Sequence, residues 1–97
     1  MPTLHQLKKL TKDLCGIIKE IDSIEDAFNF LRDLLTETEL EEFSQRLEIA
    51  IMLSQKKPYT EIQGATGASS TTIARVSKYL KGKHGGYKKF VPNVSSS

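Results

Sequence analysis

Leu7, Leu10, Leu14, Ile17 and Ile21 recur at intervals of three, four, three and four residues. That spacing puts five aliphatic side chains on one face of a helix, and a strand cannot use it because its faces alternate every second residue. Lys8, Lys9, Lys12, Asp13 and Lys19 fall off the stripe, so the segment predicts one amphipathic helix from about Leu4 to Lys19. Fewer than three heptads are present, which makes the stripe a packing face of a bundle or dimer rather than a long coiled coil.

The same logic continues downstream. Ser23-Ile-Glu-Asp26 is an N-cap serine followed by acids, opening a second helix with Ile24, Phe28, Leu31 and Leu35 on one face. Thr36-Glu-Thr-Glu39 has capping-box form and starts a third. Leu40, Phe43, Leu47, Ala50, Ile51 and Leu53 give that helix a broad apolar stripe, so it is expected to be the most buried, ending near Gln55 before Lys56-Lys57-Pro58. No segment alternates at period two. The expected fold class is all-α, in a single domain covering residues 1–97.

The longest apolar run, Ile49 to Leu53, is five residues, far short of the roughly 20 that cross a bilayer. Met1-Pro-Thr-Leu-His opens no signal peptide, so a cytoplasmic protein without a membrane partner is expected. Cys15 is the one cysteine, which excludes an internal disulfide and a multi-cysteine metal site; its apolar helical setting predicts a buried thiol. A domain this small is often marginal alone, and a homodimer is the economical remedy.

Charge divides the chain. Residues 1–45 carry five Lys/Arg and ten Asp/Glu, a net of −5, whereas residues 46–97 carry nine and two, a net of +7. After Glu61 come Arg75, Lys78, Lys81, Lys83, Lys88 and Lys89 with no acid among them. Such a single-sign stretch attracts a polyanion, which puts nucleic acid first among partners; the plain alternative is a solvated basic tail.

Residues 59–80 hold the most informative pattern, a short helix, a glycine turn and a second helix. Thr60 is placed to cap the first helix with Gln63 at its third position, and Ile62 is its inward anchor. Gly67 ends it, because glycine permits the left-handed conformation of a tight corner, and Ser69 caps the next helix. Ile73, Val76 and Leu80 form the buried face of that helix, leaving Ser70, Thr71, Ala74, Arg75 and Lys78 outward. Small and hydroxylated residues let a helix enter the DNA major groove, and arginine pairs bidentately with guanine. Beyond Leu80, Gly85 and Gly86 break the basic segment; Tyr87 and Phe90 are expected in a last short turn that docks back, with Pro92 and Ser95-Ser-Ser97 as a fraying end.

From about Leu34 to Leu80 the chain resembles the Trp repressor superfamily, and within it the YerC/YecD-like branch. The likeness rests on Tyr59-Thr-Glu-Ile, Thr66-Gly-Ala-Ser69 and Thr72-Ile-Ala-Arg-Val76, with Leu35-Thr36 and the helix beginning at Glu37 that carries Arg46. It implies an intertwined all-α homodimer: residues 1–57 as dimerisation helices, 58–81 as a helix-turn-helix, 82–97 as a basic C-terminal segment. The implied function is a transcriptional regulator, a repressor in the leading reading, that binds a palindromic operator in double-stranded DNA. Base-reading positions are Ser70, Thr71, Thr72, Ala74 and Arg75, with Thr60, Gln63 and Ser69 completing the DNA-binding set and Lys78, Lys81 and Lys83 on phosphates.

Trp repressor itself also has a corepressor site, held by a threonine and two arginines that Thr36, Arg46 and Arg75 resemble. Where it has a glycine after the recognition-helix arginine and a serine three residues on, this chain has Val76 and Tyr79. Both are bulky, so tryptophan is not expected to bind, and any small-molecule effector is unidentified. Two other classes compete. Small all-α dimers can catalyse pericyclic chemistry on anionic metabolites, but the first-helix seam is uniformly aliphatic, and no nucleophile–base pair or metal cluster stands out. His5 and His84 read as surface residues, and neither a catalytic residue nor a cofactor is expected. A protein-binding adaptor that keeps the fold without DNA is the third class, separated from the first by binding to random duplex at low salt.

Overall fold

The computed structural model describes residues 1–93, and every regular element among them is helical. In chain order these are α1 (Leu4–Leu10), α2 (Lys12–Glu20), α3 (Ile24–Leu34), α4 (Glu37–Ser54), α5 (Tyr59–Thr66), α6 (Ser70–Leu80) and α7 (Gly86–Phe90), followed by a 3-10 turn, Val91–Asn93. The chain divides into two compact units, Met1–Glu37 and Thr38–Ser97. No helix among the described residues is long and apolar enough to cross a membrane.

In the first unit the expected single helix from Leu4 to Lys19 is two helices. Thr11 interrupts it at φ −96° and ψ 7°, and its hydroxyl donates to the Leu7 carbonyl at 2.9 Å. A threonine hydroxyl that bonds back to the preceding turn competes with the helical ladder and bends it, which a stripe of aliphatic spacing does not reveal. Ahead of the break, Thr3 and Gln6 form a reciprocal capping box, with Thr3 Oγ1 accepting at 3.1 Å and Gln6 Oε1 at 2.8 Å. Ser23 caps α3 as expected, accepting from the Asp26 amide at 3.1 Å. None of α1, α2 and α3 contains a buried residue. Cys15, expected buried, is exposed for the same reason: one copy of this unit encloses no core.

The core lies in the second unit. Ile49, Ala50, Ile51 and Met52 of α4 are buried together with Ile62, Ala68, Ile73, Val76 and Val91, and Leu53 and Tyr87 pack against them. So α4 is the most buried helix, but only the C-terminal part of the expected stripe is in the core: Ala50 and Ile51 are buried and Leu53 packs against it, Phe43 and Leu47 are half-exposed, and Ile49 and Met52 complete a run of four consecutive buried residues. A helix covered all round needs apolar residues all round, which is why Ile49 and Met52 belong to the core without fitting the period. Of the two aromatics expected to dock back from the basic segment, Tyr87 packs against the core, whereas Phe90 is 64% exposed. Val91, in the same 3-10 turn as Pro92, is buried; the rest of the expected fraying end, the run at 95–97, lies outside the described residues.

At the end of α4 the Lys56 amide donates to the Leu53 carbonyl and the Lys57 amide to that of Met52, at 3.0 and 3.1 Å, and Lys56 has φ +64°. This is the Schellman arrangement, with lysine where glycine is the usual occupant. The left-handed conformation costs an L-residue ~1–2 kcal/mol, and glycine's greater freedom in the unfolded chain offsets part of that relief. Lys56→Gly is therefore expected to stabilise the fold by ~0.5–1 kcal/mol, seen as a higher midpoint in urea. A lower midpoint would show that the lysine side chain holds this turn.

Candidate nucleic-acid interface

Pro58, at φ −70° and ψ 155°, is the N-cap of α5, and its carbonyl accepts from the amides of Glu61 and Ile62, both at 3.1 Å. Thr60 is thus the second residue of the helix and not its cap. Proline's fixed φ starts the helix two residues earlier than the hydroxyl signal indicates. Ile62 is fully buried and anchors α5, while Thr60 is exposed and Gln63 half-buried. Gly67 ends the helix at φ +75°, as expected. A Cβ there would meet nothing within 4 Å, so backbone conformation, and not space, demands glycine.

The corner is tied by Thr66. Its hydroxyl donates to the Ile62 carbonyl at 2.7 Å and accepts from the Ala68 amide at 3.2 Å. Ser69 then caps α6, accepting from the Thr72 amide at 3.2 Å, with its Oγ 3.1 Å from the Thr72 hydroxyl. Ile73 and Val76 seat α6 on the core. Ser70, Thr71, Ala74, Arg75 and Lys78 are all exposed, and their helical spacing puts them on one face; Thr72 is half-buried beside the cap. Lys81 closes α6 and Lys83 is exposed just beyond it. Lys57 is paired with Glu61 at 3.7 Å, an exposed ion pair of small energetic weight.

Behind α6 lies a cavity of about 420 Å³ against α4 and α7. Arg46 and Arg75 both line it, as do Val76 and Tyr79, the two bulky residues singled out from the sequence. The Arg46 guanidinium is 4.7 Å from the centre of the Phe43 ring, a cation–π contact that fixes the side chain. Thr36 belongs to the first unit, so within the second unit the expected trio is a pair of arginines. Glu42, Gln45 and Tyr87 also line the cavity and were not singled out. The spacing of Glu42, Gln45 and Arg46 along α4, i, i+3 and i+4, is the signal that could have found the first two. Tyr79, one of the lining residues, stacks on His84 with ring centres 5.7 Å apart. Among the described residues no three His, Cys, Asp or Glu side chains gather as a metal site.

The fold and this surface define an all-α protein presenting a basic two-helix unit whose outer face is small and hydroxylated. Residues 8–95 match the family described as Trp repressor protein. Uncharacterized protein YerC of Bacillus subtilis (strain 168) is 34% identical over 84 residues, 87% of this chain and 81% of that one. A crystal structure of a putative Trp repressor from Staphylococcus aureus superimposes with a TM-score of 0.85 at 28% identity, covering 100% of both chains. The chain belongs to the Trp repressor family, in its YerC-like branch.

Proposed function

We propose that this chain is a transcriptional repressor that binds a palindromic DNA operator as a homodimer, with residues 1–57 as dimerisation helices, 58–81 as the reading head and 82–97 as a basic flank. The observation that carries it is the α6 face. Ile73 and Val76 are held in the core while Ser70, Thr71, Ala74, Arg75 and Lys78 stand clear of it. Arg75 with the hydroxyls of Ser70, Thr71 and Thr72 reads bases; Thr60, Gln63 and Ser69 support the set; Lys78, Lys81 and Lys83 meet phosphates. Selection from a random duplex pool tests this. Enrichment of a two-fold symmetric sequence is expected, whereas no affinity for any duplex at low salt would overturn the reading.

The meeting of Arg46 and Arg75 at one cavity favours a second, compatible role, an anionic effector site built on these two arginines. Tryptophan does not suit it. Val76 is 2% exposed and belongs to the close-packed core, so it cannot swing aside for an indole, and Glu42 adds a carboxylate to the same wall. Titration calorimetry with millimolar L-tryptophan is expected to give only dilution heat. Saturable heat with tighter operator binding would make the Arg46–Arg75 cavity a tryptophan site.

A further inference from the structure

The reading head must be held at a fixed angle to its scaffold if α6 is to meet base edges, and hydrophobic anchors alone are non-directional. Most side-chain hydrogen bonds of the head are local: those of Thr66 and Ser69 reach two to four residues along the chain. One differs. The Gln45 amide of α4 donates from Nε2 to the backbone carbonyl of Thr66 at 3.0 Å, across 21 positions of sequence, in a half-buried setting. Thr66 is the last residue of α5, and its carbonyl is among those that a helix end leaves without an intrahelical partner. Through its hydroxyl the same residue fixes the turn into α6, so Gln45 grips the corner at the point from which both helices take their direction. Gln45 also lines the Arg46–Arg75 cavity.

We propose that Gln45 is a positioning residue for DNA recognition: its amide fixes the Thr66–Ala68 corner to α4 and thereby sets the approach angle of α6. This rests on the DNA-binding reading above. Specific recognition needs that angle and non-specific phosphate binding does not, so the loss falls on the ratio between them.

The test compares wild type with Gln45→Met, which keeps length and lacks a donor, and with Gln45→Glu. Gln45→Met is expected to stay folded, to bind random duplex as wild type does, and to lose about three- to tenfold in affinity for the selected duplex, the worth of one hydrogen bond. Amide exchange at Gly67 and Ala68 is expected to quicken in the same variant. In Gln45→Glu the carboxylate cannot donate at neutral pH; protonation below about pH 4 restores a donor, and exchange at the two amides, normalised to the intrinsic rate, returns towards wild type. An unchanged affinity ratio together with unchanged corner exchange in Gln45→Met would overturn the proposal. Should the wild type bind no duplex, the DNA reading falls with its consequence for specificity, and the exchange measurements still decide whether Gln45 holds the corner.

Discussion

Affinity for duplex DNA is expected to fall about 10⁴-fold between 50 and 200 mM salt, if each head neutralises about four phosphates and the dimer about eight. Each neutralised phosphate releases condensed counterions and contributes roughly −0.9 to the slope of log affinity against log salt. The supply of cations is ample: no acid follows Glu61, and Lys78, Lys81, Lys83 and Lys88 are exposed. Two substitutions separate the roles. Lys78→Ala is expected to weaken binding to all sequences alike and to reduce the slope by about one. Arg75→Ala is expected to cost ~1–3 kcal/mol on the selected duplex and little on random duplex. A slope near zero would remove the basic flank from the interface. Unchanged preference in Arg75→Ala would remove that side chain from base reading.

The parts of this fold that were legible in the sequence are those fixed by local chemistry. Ser23, Ser69 and Gly67 act within three or four residues of themselves, and each is found in its expected role. Ile73 and Val76 were legible by period because α6 buries one side only. The misreadings also have local causes. Thr11 breaks a helix whose aliphatic spacing continues through it, and Pro58 starts α5 ahead of a threonine that looks like a cap. What could not be read is contact between distant residues. Nothing in the chain before folding joins Gln45 to Thr66, brings Tyr87 to the arginine cavity, or buries Val91. The identity of the surface residues was therefore recoverable, and the framework that aims them was not.

A charge on the exposed apolar surface decides whether the chain is complete alone. Leu10 is 76% exposed and Ile24 90% exposed in one copy, and Leu47 on α4 is 42% exposed. For a monomer, Leu47→Asp would then be a surface substitution, within about 0.5 kcal/mol of neutral. For a dimer that covers these side chains with a second copy, the same change puts an unpaired carboxylate into the shared core. Desolvating that charge costs several kcal/mol, a large share of a domain stability of ~5–15 kcal/mol. We expect the second outcome, with Leu14→Asp behaving likewise: helicity by circular dichroism and the dimer by sedimentation are lost together at micromolar concentration. Ile73→Ala is the control, since that side chain is fully buried within one copy and its truncation should cost ~2–5 kcal/mol in either case. A wild type that sediments as a folded monomer, with Leu47→Asp as helical and as stable, would defeat the dimer and with it the two-fold symmetry expected of the operator.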